Sequence, residues 1–571
     1  MKKLISLSLL FVLTVNNLAI SQIPNFQWAK KIGINQQDEG NDLAVDKFGN
    51  VITIGTFRGT PDFDPGPGTF TLASAGQQDI FISKLDALGN FVWAKRFGNA
   101  NDQYGNSIAV DSAGNIYTTG YFDGSIDFDP GSGSFVLTST GSYDFYVQKL
   151  YANGNFAWAK SIGCSTSFEE AYTIDVDDSA NVYVGGQFNC MTVDFDPGPG
   201  VFNLSPSGAF ILKLDSTGNF RWAKQLGGTN TNVTSIRLDS LHNSYVAGFF
   251  TLSGDFDSGP GTQVLTSKGI QDAFIAKFDP SGNFIFAKQI GGKGFDKAYG
   301  ITVDDSLNIY FTGHFGDTCD FDPGIGTFTM NIAGLSGQDI FVEKLNTAGN
   351  FVWAKKMGGT SGIDETGLAI GIDNTQNIYT TGRFTGNVDF DPGPGSFFIN
   401  SGNNTNIFIQ KLTSNGNFVW ATQFGSGSFN TNMGKSIAVD PLNNVYCTGS
   451  FVSNVDFDPS TSTFMLSSSG GYDCFILKLG IGVPTHVNII HNNHNVLIFP
   501  NPNNGKFGLK IEKQIHSGEL IVFNKLGQKI YENEIHEGLN HIHLEGIAQG
   551  IYYFTLTDNE IKFYSGKILV D

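Results

Sequence analysis

The sequence predicts an all-β protein: a seven-bladed β-propeller closed by its own N-terminal strand, followed by a small C-terminal β-sandwich. Three observations predict it. A stretch built on GNFxWAK returns at Gly89, Gly154, Gly218, Gly282, Gly349 and Gly416, and a seventh copy, PNFQWAK, begins at Pro24. Six of the seven copies carry tryptophan at one position (Trp28, Trp93, Trp158, Trp222, Trp353 and Trp420); the seventh carries Phe286. A strand-like run ends in aspartate at Asp46, Asp111, Asp177, Asp239, Asp304, Asp373 and Asp440, with spacings of 65, 66, 62, 65, 69 and 67 residues. Four short strands per unit at such a period is the pattern of propeller blades.

Taken in order, residues 1–21 read as a signal peptide. Lys2-Lys3 precede an apolar run from Leu4 to Val15, and Ala19-Ile20-Ser21 forms a small-residue cleavage site. The run is too short to span a bilayer. Residues 22–480 form the propeller. In each unit a first strand such as SIAVD (Ser107–Asp111) turns into NIYTTGYF (Asn115–Phe122). DFYVQKL (Asp144–Leu150) and the Trp strand NFAWAKSIG (Asn155–Gly163) follow. Val, Ile, Tyr, Phe and Thr dominate these runs, and Gly, Asn and Asp bound them, as in antiparallel hairpins. The chain starts on a Trp strand and ends its last unit on a third strand, so the first strand completes the last blade. That closure removes a free sheet edge.

An insert beginning DFDPG, or a close variant, separates second and third strands in every unit. Its aspartates are Asp62, Asp64, Asp127, Asp129, Asp194, Asp196, Asp255, Asp257, Asp320, Asp322, Asp389, Asp391, Asp456 and Asp458. Strand direction puts the inserts on the same face as the loops leading into each first strand, which makes this the candidate working face. Two carboxylates two residues apart, followed by glycine, resemble a fragment of a calcium loop, which makes calcium the one cofactor to consider. A hard cation needs about six oxygens, however, and the motif offers two side chains. The competing reading is a type II turn, with Pro65-Gly66 at its centre and Asp62 bonding backbone amides.

A second set of acids precedes the first strands: Asp38, Asp102, Glu169, Asp296 and Glu365. They are expected to ring the channel mouth as a negative funnel or to cap loop backbone. The tryptophans and the third-strand lysines recur in every blade or nearly so, and read as packing. No cluster of His, Tyr, Arg or Glu unique to one or two blades stands out, and no GxSxG, HExxH or P-loop signature appears. Among five cysteines without metal spacing, Cys164 and Cys190 fall at one end of a blade and form a candidate disulfide. Cys447 and Cys474, on adjacent strands, form a second. Net charge is −19, which repels phosphate backbones and argues against nucleic acid as a partner.

The recurring IAVDsaGNiYttG and DfyvqKL…GNfaWAKsiG pattern, over Pro24 to Leu479, resembles the bacterial seven-bladed β-propeller repeat family. That resemblance implies a fold and an extracellular setting but no single activity. Residues 481–495 read as a linker. Residues 496–571 resemble the C-terminal sorting domain of the type IX secretion system of Bacteroidetes-type bacteria. The match rests on Phe499-Pro500-Asn501-Pro502, Gly505, Phe507, the Asn524–Gly527 turn, Gly550-Ile551-Tyr552 and Lys567. It implies the secretion machinery as a partner, passage across both membranes, and a cargo anchored to surface lipopolysaccharide or released. The expected function is binding or adhesion, with a glycan or a surface protein as ligand. A polysaccharide lyase or hydrolase, or a structural envelope component, are the alternatives.

Overall fold

The computed structural model describes residues 24–570 apart from 35, 335–336, 360–363, 426–430, 481–495, 500–504, 512–517, 525–527, 545 and 559–560. The expected signal peptide, the linker and Pro500–Pro502 lie outside the described residues. The chain divides into two compact units, Met1–Ile481 and Gly482–Asp571.

The first unit holds seven antiparallel blades of four strands, the fourth joined through its outer strand to the insert hairpin of blade 5; in blades 1 to 6 the strands follow chain order from the inside out. Blades 1 to 6 have inner strands Glu39–Val45, Gln103–Val110, Glu169–Val176, Asn232–Leu238, Lys297–Val303 and Thr366–Ile372. Blade 7 starts on Met433–Val439, and its outer strand is Asn25–Ile32 from the other end of the chain. Ile32 lies opposite Cys474 and Asn25 opposite Gly480, so the ring is closed by antiparallel pairing. Each inner strand lies against the next, and that of blade 7 lies against that of blade 1.

Composition explains the layering. Second and third strands such as Val51–Phe57 and Asp79–Leu85 are buried at every residue. They are packed between neighbouring blades on both faces, so they read as continuous apolar runs. The outer strands alternate, as in Phe91–Phe97, where Val92 is exposed and Ala94 and Phe97 are buried. The tryptophans clamp blades together. Trp158 Nε1 donates to Ser216 O (3.1 Å) and Trp222 Nε1 to Pro280 O (3.2 Å), both in the turn of the next blade. Phe286 keeps the ring contact, under Gly349, and has no N–H to donate. The third-strand lysines reach the same turns, as Lys149 Nζ does at Ser216 O (3.3 Å). Most also lie over a second-strand tyrosine, such as Lys213 at 4.6 Å from the Tyr183 ring.

The strand-ending aspartates close the turns of the opposite face. Asp440 accepts from Leu442 N (2.8 Å), Asn444 N (2.9 Å), Asn444 Nδ2 (2.7 Å) and Tyr446 Oη (2.9 Å). Asx geometry of this kind is what Asp does best at a turn.

The second unit packs a sheet of Val496–Phe499, Lys506–Ile511 and Gly538–His543 against a four-stranded sheet of Lys529–Ile535, Gly518–Phe523, Gly550–Asp558 and Ile561–Val570. Phe507, Leu509 and Ile542 from one sheet meet Leu520, Val522, Phe554 and Leu556 from the other in a single core, which makes it a sandwich.

Candidate functional site: the insert-side mouth of the ring

The DFDPG carboxylates are occupied by their own turn. Asp62 Oδ1 accepts from Asp64 N (3.0 Å) and Phe70 N (2.8 Å), and Asp64 Oδ1 accepts from Gly66 N (2.8 Å). The same three bonds recur at Asp127/Asp129, Asp194/Asp196, Asp255/Asp257, Asp320/Asp322, Asp389/Asp391 and Asp456/Asp458. The phenylalanine between them is buried in its blade, as Phe63 is against Phe57 and Phe81. A side chain at Gly68 would meet Asp64 Oδ2 at 2.2 Å, yet the seventh copy carries Ser462 at this position and keeps the same bonds. Among the described residues, one group of three ligand side chains is close enough to share an ion: Cys164, Glu169 and Cys190. No DFDPG aspartate belongs to it.

The acids expected at the mouth divide differently. Asp38, Glu169, Asp296 and Glu365 are fully buried, so they present no carboxylate to the channel. They cap the loops between blades. Asp38 accepts from Ile34 N (2.9 Å) and Arg58 N (3.0 Å), and Asp296 from Gly292 N (2.7 Å) and Gly316 N (3.1 Å). Burial pushes Asp38, Glu169 and Asp296 up to about 7, and Glu365 up to about 9. Each faces a third-strand acid of the preceding blade: Asp473, Asp144, Asp272 and Asp339 respectively. In blade 2 the capping position is Gln103 rather than Asp102: its Oε1 accepts from Asn99 N (3.1 Å). Thr231 and Asn432 do the same work in blades 4 and 7.

Cys164 and Cys190 are joined as a disulfide with Cα atoms 6.5 Å apart, within the span a disulfide bridges. Cys447 and Cys474 are both unbonded and buried. Register explains it: Cys447 lies opposite Leu477, and Cys474 opposite Ser450.

What the sequence did not disclose is a β-bulge in every inner strand. The register shifts around Asn41, Asn106, Tyr172, Thr234, Tyr299, Leu368 and Lys435. A bulge re-aims the extra side chain, and these seven residues line the central cavity, of about 130 Å³. The blades part company here. Asn41 Nδ2 and Asn106 Nδ2 bond carbonyls of the next blade, Gly105 O (2.9 Å) and Ala171 O (2.8 Å). Lys435 bridges to Glu39 and Asn41.

Two clusters are specific to particular blades. At the insert side of blades 2 and 3, the half-buried Tyr104 stacks on Tyr121 at 4.5 Å, and Tyr143 meets Tyr121 edge-on at 5.3 Å. Beside them Tyr172 Oη donates to Glu170, and Gln187 Nε2 bonds both Glu170 Oε2 (2.7 Å) and Tyr172 Oη (2.7 Å). At blades 5 and 6, His314 lies 5.5 Å from the Tyr299 ring and shares a bond with Thr366 Oγ1 (3.3 Å). Burial, with Lys297 and Arg383 nearby, pulls His314 down to about 3, so the ring is neutral. Lys297 lies over Phe249 at 4.4 Å, and Arg383 pairs with Asp364 (2.9 Å). These are the blade-specific Tyr, His and Arg groups that the sequence did not reveal. Aligning the inner strands on their buried Leu43, Ile108, Ile174, Ile236, Ile301, Ile370 and Ile437 would have exposed the variable positions two residues before.

Two family models match. One, described as "Secretion system C-terminal sorting domain", covers residues 497–571. The other, described as "Beta-propeller repeat", covers 92–127 and 419–458. The chain carries β-propeller repeats and a type IX sorting domain. This propeller-repeat protein is therefore exported by type IX secretion to the cell surface or the extracellular space. Curated proteins similar to it include an uncharacterised WD repeat-containing protein, L264, of Acanthamoeba polyphaga mimivirus. The two are 28% identical over 502 residues, which is 74% of this chain and 36% of that protein. Another is the regulatory protein FlaEY of Caulobacter vibrioides, 22% identical over 395 residues, 64% of this chain and 38% of FlaEY. The propeller-repeat protein thus spans well under half the length of both relatives. Similar solved structures include a fungal alcohol oxidase of the AA5 family with copper. It is 11% identical with a TM-score of 0.37, over 96% of this chain and all of that one. PorZ, a surface component of the type IX secretion system of Porphyromonas gingivalis, is 10% identical with a TM-score of 0.16, over 95% and 100%. Among the described residues no helix is long and apolar enough to cross a membrane.

Proposed function

We propose that this protein is a binding or adhesion module, displayed on the outer-membrane surface or released, that engages its ligand at the insert-side mouth of the ring. The reading rests on one observation. Chemistry that recurs in the blades (Trp, Lys, turn Asp, DFDPG) is consumed by the scaffold, whereas the mouth residues differ from blade to blade. Tyr104, Tyr121 and Tyr143 offer aromatic area at low side-chain entropy cost. Glu170, Gln187 and Tyr172 add donors and acceptors held in one fixed network. Rigid aromatics beside preorganised polar groups form a recognition surface. Anchoring through lipopolysaccharide belongs to the same proposal.

The test uses the purified full chain against immobilised matrix proteins, with Tyr104→Ser/Tyr121→Ser as the comparison. The expected result is saturable binding to at least one surface, weakened at least about tenfold by the double substitution, the loss of an aromatic anchor. Binding that the substitution leaves intact refutes the mouth as the contact.

A further inference from the structure

Blade 4 breaks the repeat twice, and both breaks fall at one place. In six blades the insert carries a phenylalanine whose ring packs on the first phenylalanine of the outer strand. The pairs are Phe70–Phe91, Phe135–Phe156, Phe202–Phe220, Phe328–Phe351, Phe397–Phe418 and Phe464–Phe26, with centroids 4.8–5.0 Å apart. Blade 4 has Gln263 at this position, and the backbone bond to the first insert aspartate is kept (Gln263 N to Asp255 Oδ1, 2.8 Å). The insert turn is therefore the same, and only the ring is missing. Phe284, left without that partner, contacts Phe278 of its own blade instead (5.8 Å). Two residues on, the tryptophan of the other blades is Phe286, a smaller ring.

Gln263, Phe284 and Phe286 all line a cavity of about 360 Å³ that runs along the outer strand of blade 4, between the inserts of blades 4 and 5. Gln263 and Leu265 form one wall, Phe284 to Gln289 the floor, and the blade 5 turn at Asp320 and Asp322 the other wall, with Lys268 beside it. The two blades are held together at the end of that outer strand, where Gly291 and Gly292 pair with Asp320 and Cys319. A volume of this size falls in the range of small-ligand sites, which are roughly 300–1,000 Å³.

We propose that this cavity binds a residue of a neutral saccharide. The floor supplies aromatic carbon at Phe284 and Phe286, which flank the outer strand of blade 4 on its two faces, for the C–H groups of a sugar ring. The walls supply an amide at Gln263, ammonium groups at Lys268 and Lys288, and carboxylates at Asp320 and Asp322. That is the set of donors and acceptors that hydroxyls of either role require. Charge decides between ligand classes. Two lysines balance two aspartates, and Lys268 already lies 3.9 Å from Asp320. An anion would face the aspartates and a cation the lysines, so a neutral polar ligand meets no uncompensated like charge. The site is separate from the mouth and does not depend on it.

The repeat itself supplies the test. Gln263→Phe with Phe286→Trp restores what the other blades carry, so the variant fills the cavity without breaking the fold. The full chain is titrated with neutral cello-, malto-, xylo-, laminari- and N-acetylglucosamine oligosaccharides, and with polygalacturonate as the anionic contrast, by saturation-transfer NMR and calorimetry. Expected is binding of at least one neutral oligosaccharide, weakened by at least about tenfold in the filled variant, with the melting temperature kept or raised. The Tyr104→Ser/Tyr121→Ser variant retains that binding. The proposal is overturned if no neutral oligosaccharide binds, if polygalacturonate binds more tightly than all of them, or if the filled variant binds as the native chain does.

Discussion

Glu343 gives the sharpest test of how far the repeat fixes the scaffold. It lies mid-strand in blade 5, opposite Phe311 and Ala354. Gln148 and Gln410 hold the same register in blades 2 and 6, opposite Thr118 and Ala159, and Thr380 and Ala421. Those amides donate to the insert backbone, Gln148 Nε2 to Phe128 O (2.8 Å) and Gln410 Nε2 to Phe390 O (2.6 Å). Glu343 is fully buried, and neither carboxylate oxygen has a protein hydrogen-bond partner. Burial, reinforced by Asp322 and Asp320, raises its carboxyl well above the ordinary value of 4.5, so the native state holds it as the neutral acid. A raised folded-state value contributes stability below 4.5 that is lost as pH rises, because the unfolded chain releases the proton and the native chain does not. Each pH unit costs about 1.4 kcal/mol. Glu343→Gln removes that loss and supplies the missing amide donor. The expected gain is larger at pH 7.5 than at pH 5, since the stability lost to the buried neutral acid grows as pH rises above 4.5. Urea unfolding of both proteins at the two pH values measures it. A gain equal at both, or a loss, refutes the assignment of Glu343 as a buried neutral acid standing in for glutamine.

Further predictions follow the same logic. Asp38, Glu169 and Asp296, held near 7, and Glu365, near 9, all favour the native state at acidic pH. The melting temperature of the full chain falls between pH 5 and pH 8, and a rise across that window contradicts the raised values that burial gives these acids. Thiol titration finds no reactive cysteine in the native chain, three after denaturation (Cys319, Cys447 and Cys474) and five after reduction; burial pushes Cys447 and Cys474 up to about 12. Reduction of Cys164–Cys190 lowers stability by about 3 kcal/mol, from loop closure over 26 residues. Exchanging calcium for a chelator leaves the melting curve in place, since one oxygen of each DFDPG carboxylate already serves backbone amides; a large calcium-dependent rise would make them ion ligands.

The fold was legible because it is written seven times. A Trp strand at the start and none at the end forces the closure seen between Asn25–Ile32 and Asp473–Gly480. The DFDPG turn was legible in its aspartates, which bond backbone amides as expected, but Gly66 does not take the positive φ that a type II turn requires. The mouth was not, for two physical reasons. One residue per inner strand is extra to the pairing, and nothing local in Asn41, Tyr172 or Lys435 marks it as bulged. Capping needs only an acceptor at the right distance, so Gln103, Thr231 and Asn432 serve as well as an acid. In blade 2 the neighbouring acid, Asp102, lies one residue before the capping position held by Gln103. The blade 4 cavity is lined by two departures from the repeat, Gln263 for a ring and Phe286 for a larger one, which read as drift until the structure places them together.

The central claim is that recurring residues build the ring and blade-specific residues recognise the ligand. The most direct test measures binding and stability together in two variants of the full chain. Asp440→Ala removes an acceptor of four hydrogen bonds and costs about 2–4 kcal/mol; Tyr104→Ser/Tyr121→Ser alters only the mouth. Asp440→Ala is expected to lower the unfolding midpoint and to bind immobilised matrix proteins as the native chain does, whereas Tyr104→Ser/Tyr121→Ser keeps its midpoint and loses that binding. A mouth variant that still binds those proteins, or an Asp440 variant that folds stably but fails to bind them, would contradict the central claim.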